Sequence, residues 1–350
     1  MPNLYILGAG CSRNYSEATH GIRGLVSPTN EDFFKMARLV IEETGMKSDP
    51  RFMEEIDLLI RTVARLYGGP SDLRLFGKKN LNLEDVMTLL DVDSRVFSTL
   101  PAQRFGQSES RQLRALKDLL TRTLELALAG PPCKKHRALA REMSDRDVVL
   151  SMNYDILIDN ALTASGKISD SDYNMNFYMV NQNREWIRPS PPDTHRSGVS
   201  LFKLHGSLNW IRCSLCGSLL LYRYRKQTLI GAEPFRCPRC KDTLAERMII
   251  PPLHSKDYRD KDLAFLWIQA DRAMTEFSRI VCIGYSFSPL DSDMTALIRR
   301  LRIRQSKDLE IDFIGHPHRR DHEAEKRLRD LLGVKKLNSY KGLSNYLESR

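Results

Sequence analysis

LYILGAGCSRN, residues 4–14, is the stretch on which the rest of the chain turns. Four apolar residues run straight into Gly8-Ala9-Gly10, the pattern of a buried strand ending in a tight turn. Such a turn lets backbone approach a phosphate closely, because glycine carries no Cβ. The dinucleotide fingerprint G-x-G-x-x-G asks for a third glycine, and Arg13 stands in its place. Taken alone, the turn is open to two readings, a nucleotide site and a structural corner.

Four further runs share its form: DVVLSMNYD (147–155), SLFKLHGS (200–207), RIVCIGYSF (279–287) and LEIDFIGH (309–316). Short Val, Ile, Leu and Phe runs without clean alternation suit strands buried on both faces of a parallel sheet. In such a sheet, ligands bind beyond the carboxyl ends of the strands. Ser12, Asn153 with Asp155, His205, Ser286 and His316 all fall at those ends, which points to one crevice.

Between the first two runs, RFMEEIDLLIRTVARLY (51–67), LNLEDVMTLLDVDSRVF (81–97) and SRQLRALKDLLTRTLELALAG (110–130) carry apolar residues at helical spacing. Asn82 lies just before Glu84 at one helix start, and Gly130-Pro131-Pro132 stops the last helix. The expected fold class is α/β: a Rossmann-like parallel sheet with helices on both faces, an inserted helical module and a small zinc ribbon. Residues 1–39 and 146–350 form the sheet domain in this reading, 40–145 the helical module and 207–250 the ribbon. Residues 165–198, rich in Ser, Asp, Asn and Pro, read as a surface excursion with few buried groups.

The ribbon is the strongest local signal. Cys213 and Cys216 form one C-x-x-C knuckle and Cys237 and Cys240 a second, with 20 residues between them (237 − 216 − 1). Each knuckle sets two thiolates on one side of a tetrahedron, so the pair closes a four-cysteine zinc site with no position left for water. The zinc is therefore expected to be structural. Zinc ribbons also bind nucleic acid, and Arg212, Arg223, Arg225, Arg236 and Arg239 flank this one.

The other motifs each have a plain structural reading beside a chemical one. Asn153 and Asp155 in SMNYD can orient a ligand, or can form a turn and cap a helix. His205 in KLHGSLNW can act as a base near neutral pH, and Gly206 leaves room for a substrate, or both can be structural. In GYSFSPLD (284–291), Ser286 and Ser288 can bind a ribose or phosphate, while Asp291 and Asp293 suit the first turn of a following helix.

The chain has 350 residues, 41% of them hydrophobic, enough for a large core or two domains. Its 54 basic and 44 acidic residues give +10, which favours acidic partners, nucleic acid among them. The basic residues are spread, and the densest stretch, LIRRLRIRQSK (297–307), also reads as the solvated face of a helix. No apolar run nears the roughly 18 residues of a membrane span, and MPNLYILGAG lacks the marks of a signal peptide. With four of seven cysteines in metal-type pairs and Cys11, Cys133 and Cys282 single, a reducing, cytoplasmic location is expected.

Taken in order, these motifs resemble the sirtuin family. The shared pattern is GAG-x-S after the first strand, N-x-D after another, then HG, two C-x-x-C pairs and a G-x-S turn, over roughly residues 1–35 and 145–320. The resemblance implies NAD as substrate, with Gly8, Ala9, Gly10, Cys11 and Ser12 at its pyrophosphate. It implies that Asn153 and Asp155 sit beside the nicotinamide and its ribose, and that His205 is the general base on the ribose hydroxyls. It puts Gly284 and Ser286 on the adenosine side, with Tyr285 where the family has Thr, and His316 in the region of a ribose-binding Asn.

The departures fall on the acyl-lysine half. Deacylases of the family continue with a G-I-P-D-F-R-like segment, whereas GIRGLVSPTNEDFF (21–34) has no Phe-Arg pair, and Met152 replaces a Gln. In MIIPPLHSKDY (248–258), Pro251 and Pro252 remove two backbone donors that a peptide strand would need. This combination resembles the sirtuin-like domains of bacterial anti-phage defence, which cleave NAD. It implies an NAD glycohydrolase that works as a homo-oligomer or with a separate partner such as a HerA-type ATPase, since the chain has no Walker motif of its own. The alternatives are an NAD-dependent protein deacylase or ADP-ribosyltransferase, and a nucleic-acid-binding or assembly subunit with a regulatory NAD pocket.

Overall fold

All five apolar runs form strands of one parallel sheet. β1 (Asn3–Leu7), β2 (Val148–Ser151), β5 (Ser200–Lys203), β9 (Arg279–Ile283) and β10 (Glu310–Gly315) are joined by β11 (Asn338–Lys341) in the order β11-β10-β9-β1-β2-β5. β1 lies in the middle, with Leu4 opposite Val148 on one side and Ile280 on the other. Leu4, Ile6, Val149, Leu150, Ile280 and Val281 are fully buried, which is why these runs lack alternation. The chain moves outward from β1 in one direction through β2 and β5, and in the other through β9, β10 and β11. This reversal falls between β1 and β9, and open α/β sheets bind ligands beyond the carboxyl ends of the strands at such a point. The polar edge strand β11, NSYK, carries no apolar run and has mostly exposed residues.

The computed structural model describes the chain apart from residues 14, 79, 97–109, 169–172, 174, 181–185, 188–197, 222–235, 242–244, 251–260, 306–308 and 318–320. It divides into two compact units: residues 1–17, 131–250 and 254–350 build the sheet unit, and 18–130 the helical one. These boundaries differ from the expected 39/40 and 145/146. α2 (Phe33–Glu43) joins the helical unit, where Met36 and Val40 pack on Leu25 and Ala127. α6 (Lys134–Glu142) joins the sheet unit, burying Leu139 and Ala140 in its core.

The helical unit continues with α3 (Pro50–Tyr67), α4 (Leu83–Val96) and α5 (Arg111–Ala127). Asp49 caps α3 by accepting from the Arg51 and Phe52 N–H groups, with Pro50 at the first position. Asn82 accepts from the Glu84 N–H at 2.8 Å, the start read from the sequence. Ser110 caps α5, whose apolar face buries Leu116, Leu119 and Leu120.

The sheet unit adds α1 (Ala9–Ser12), α7 (Leu157–Ala164), α8 (Lys261–Ala273), α9 (Ser292–Arg304), α10 (His322–Leu332) and α11 (Gly342–Glu348). α6 packs on α7 and α11, and α9 on α8 and α10. The basic run of α9 is partly neutralised: Arg300 and Arg304 both pair with Asp271 of α8 at 2.8 Å. Among the described residues no helix is long and apolar enough to cross a membrane.

A second sheet follows the order β4-β3-β7-β6-β8, from β3 (Tyr178–Val180), β4 (Trp186–Ile187), β6 (Gly206–Cys213), β7 (Leu219–Leu221) and β8 (Ala245–Ile249). It corrects the reading of 165–198 as a surface excursion with few buried groups. Tyr173, Met175, Phe177 and Met179 are all buried, and the Tyr173 and Phe177 rings each lie 5.2 Å from that of Trp210. Tyr173, Met175 and Phe177 precede the short strand β3, and the polar composition of 165–198 gave no sign that they are buried.

Candidate functional site

The glycines of the first turn are fixed by contact with the turn after β9. A Cβ on Gly8 would lie 2.6 Å from the Gly284 carbonyl oxygen, and one on Gly10 2.7 Å from the Gly284 Cα. Gly284 itself has φ +61 and presses on Gly10 and Cys11. The Gly8 N–H donates to the Ile283 carbonyl at 3.0 Å, Gly10 N–H to Gly284 at 2.9 Å and Cys11 N–H to Gly8 at 2.8 Å. Three backbone donors of the loop are thus spent on the protein. Ala9, at the tip, is exposed and Gly10 half-buried.

Beneath this turn, three predicted residues form one buried network. Ser12 Oγ donates to Asp155 Oδ2 at 2.5 Å and accepts from Asn153 Nδ2 at 2.9 Å. Asn153 Nδ2 also donates to the Gly8 carbonyl at 2.9 Å, so both amide hydrogens are used and the orientation of the amide is fixed. Asp155 Oδ1 accepts the Leu157 N–H at 3.0 Å, which makes the carboxylate a helix-start cap as well. Ser12 is 1% exposed, so its hydroxyl serves Asn153 and Asp155 inside the protein.

Sequence reasoning missed what stands behind Asp155. Lys203, fully buried on β5, donates to the Asp155 carbonyl and to Asp159 Oδ2, 3.1 Å away. Tyr173 donates to Asp159 Oδ1 at 2.5 Å, and Asn209 Nδ2 reaches the Tyr173 hydroxyl at 3.4 Å. Burial drives the Asp159 carboxyl above its ordinary range, against the pull of Lys203 and Tyr173. The signal was a lysine inside the apolar run SLFKL, where a charge survives only with partners.

Cys11 points away from the turn. Its thiol meets His136 Nε2 at 3.3 Å, and His136 Nδ1 meets the Cys133 sulfur at 3.0 Å, all three buried. Burial pushes the Cys11 thiol well up and Cys133 to about 11, and lowers His136 to about 4, so the cluster is neutral. Cys11 is wholly buried, its N–H bonded to Gly8 and its thiol to His136.

His205 follows β5 and is 4% exposed. Its Nε2 lies 3.2 Å from Asp291 Oδ2, and the Tyr285 hydroxyl donates to that same oxygen at 2.6 Å. The Tyr154 ring lies 6.5 Å from the imidazole, centroid to centroid. Asp291 occupies the cap position of α9 yet makes no side-chain cap, its carboxylate being turned to His205 instead. Gly206 has φ +81, and a Cβ there would collide with the Met248 carbonyl, so β8 fills the space a substrate was expected to take.

The structure therefore brings Gly8, Gly10, Ser12, Asn153, Asp155 and Gly284 into one set of contacts. His205 is joined by a carboxylate to the loop that carries Gly284. Ser286 is exposed, its carbonyl accepting from Arg327 at 3.3 Å, and the Ser288 hydroxyl accepts from the Leu290 N–H within its own turn. His316 is half-buried at the end of β10, beside a cavity of about 60 Å³ lined by Asp321, Glu325 and Lys341. Pro251 and Pro252, Arg223 and Arg225 lie outside the described residues, and segment 21–34 belongs to the helical unit.

The four ribbon cysteines converge, with all sulfurs within 4.8 Å of one another. Cys213 and Cys240 are 3.4 Å apart, Cys216 and Cys237 3.5 Å. Each knuckle closes alike: Gly217 N–H donates to Cys213 and Lys241 N–H to Cys237, and Gly217 and Lys241 both take left-handed backbone (φ +70 and +66). Four thiolates roughly 3.8 Å apart suit a zinc ion with Zn–S bonds of about 2.3 Å. With every position supplied by protein, such an ion would staple β6, β7 and the second knuckle.

No family model matches this chain, and no curated protein matches it. Among solved structures, one described as a structural basis for the mechanism and regulation of Sir2 enzymes aligns over 69% of this chain and 81% of its own. It has 12% identity and a TM-score of 0.34. Another, a Sir2 protein with deacetylated p53 peptide and 3'-O-acetyl ADP-ribose, aligns over 99% of this chain and 91% of its own, with 11% identity and a TM-score of 0.39.

Proposed function

We propose that this chain is a sirtuin-like NAD glycohydrolase, releasing nicotinamide and ADP-ribose. The observation that carries the proposal is the fixed Asn153 amide. With Nδ2 spent on Gly8 and Ser12, its carbonyl oxygen is the end that can orient a nicotinamide amide or a water molecule. In this reading the bond from nicotinamide to ribose C1′ breaks with its electron pair leaving on nicotinamide. A water oxygen then bonds to C1′, and His205 takes the water proton. Asp155 stands beside the developing positive charge on the ribose, held by Ser12 and the Leu157 N–H. Gly8, Ala9, Gly10, Cys11 and Ser12 form the wall for the pyrophosphate, reached through the outer face of the turn, and Gly284 and Ser286 the adenosine side.

The zinc ribbon supports the fold in this reading and takes no part in the reaction. A cytoplasmic role in bacterial anti-phage defence by NAD depletion, as a homo-oligomer or with a HerA-type ATPase, completes the proposal. It is tested by following nicotinamide and ADP-ribose from NAD, with and without an acyl-lysine peptide. Turnover on NAD alone supports a hydrolase. NAD consumption only in step with peptide deacylation makes the chain a deacylase.

A further inference from the structure

We propose that Asp291, steadied by Tyr285, is the positioning residue that fixes the tautomer of His205 and stabilises its protonated form. This inference rests on the reading of His205 as the general base. His205 Nε2 lies 3.2 Å from Asp291 Oδ2, and in this pairing Nε2 keeps its hydrogen towards the carboxylate, which leaves Nδ1 to accept a proton. A carboxylate at that distance attracts the imidazolium formed when Nδ1 takes a proton, and makes His205 the stronger base. Both side chains are nearly excluded from water, so the attraction is weakly screened.

The Tyr285 hydroxyl, 2.6 Å from the same oxygen, holds the carboxylate in place. It also takes up part of the oxygen's charge, which moderates the pull on His205. Among the described residues, the titratable groups shown facing His205 are Asp291 and Tyr285 from the loop after β9 and Tyr154 from the loop after β2. Phe287, packed edge-on to Tyr285 at 4.7 Å, brings no charge. The position of Asp291 has a sequence-level oddity to match. Asp291 stands at the cap position of α9 but its side chain makes no cap hydrogen bond, its Oδ2 lying against His205 and Tyr285.

The test uses the full chain carrying Asp291→Asn and Tyr285→Phe, with Asn153→Ala as reference. Two readouts are taken, the pH profile of NAD turnover and the titration of the His205 imidazole by NMR, assigned against His205→Gln. Asp291→Asn is expected to lower kcat about 10–100-fold while KM for NAD moves less than about threefold. It should also shift the His205 titration to lower pH by about one unit. Tyr285→Phe is expected to shift the titration the opposite way, with a smaller loss of kcat. Opposite shifts are not produced by general loosening of the fold. A His205 titration unchanged in Asp291→Asn overturns the inference whatever the activity. If Asn153→Ala abolishes turnover while Asp291→Asn keeps wild-type kcat, the inference fails and the hydrolase reading stands. If the wild type turns over no NAD but the titration shifts as stated, the pairing stands and the hydrolase reading fails.

Discussion

Ser12 and Asp155 are 143 residues apart in sequence and joined by a hydrogen bond of 2.5 Å, with Asn153 bonded to the same hydroxyl. The bond ties the loop after β1 to the loop after β2, adjacent strands whose register sets Leu7 beside Ser151. The parallel register brings the two turns together, and the buried serine then sets the direction of the Asn153 and Asp155 side chains.

Close backbone contacts make glycine obligatory both at the interlocked turns and where Gly206 meets β8. Gly206→Ala is expected to cost at least about 2 kcal/mol, because left-handed backbone and the Met248 carbonyl both oppose a Cβ. Gly10→Ala should destabilise through the close Gly284 Cα. Gly45→Ala, with open space and no positive φ, should be neutral or slightly stabilising. Urea unfolding of the three variants separates these outcomes; equal stabilities would contradict the close packing.

Lys203 is buried with Asp159 as its counter-charge, 3.1 Å away. Lys203→Met removes the cation, leaves a buried carboxylate and frees the Asp155 carbonyl. A loss of about 3–5 kcal/mol is expected, read as a fall in Tm and urea midpoint. The double change Lys203→Met with Asp159→Leu should recover most of that loss, since no unpaired charge remains.

How much of this was legible in the sequence follows from which signals are local. β1, β2, β5, β9 and β10 are continuous apolar runs, so their place in a buried parallel sheet could be read directly. β11 could not, because an edge strand needs no apolar run, and β3 is only three residues long in a stretch of mostly polar composition. The C-x-x-C spacing announced the cysteine cluster because the knuckle is a local turn. Asp291 read as a helix cap and Lys203 as part of a strand, since their partners, His205 and Asp159, come from other parts of the chain.

The four-cysteine cluster should carry a single zinc ion per chain. Metal analysis of the purified protein is expected to find it, and chelation should lower Tm while releasing four titratable thiols. Cys237→Ser should lose the metal and loosen β6 and β7, whose Leu220 packs against Cys213 and Cys237. Full thermal stability in the metal-free protein would contradict a structural role.

His136 gives stability a pH dependence of known sign. Its pKa falls from 6.5 to about 4 on burial, so below about 6.5 the unfolded chain binds a proton that the folded chain refuses. Stability should therefore decline as pH falls from 6.5 towards 4, by up to about 3 kcal/mol from this group. In His136→Asn that part of the slope should vanish, measured by unfolding at pH 7 and pH 4.5. The same burial raises Cys11 and Cys133, so neither thiol should be labelled by iodoacetamide at pH 8 until the protein unfolds.

The most direct test of NAD cleavage at this crevice is product analysis of NAD incubated with the wild type, Asn153→Ala and His205→Ala, each checked for an unchanged fold. The expected result is nicotinamide and ADP-ribose in equal amounts from the wild type without any peptide, and a loss of about a hundredfold or more in each variant. Turnover at the wild-type rate in both variants would contradict it.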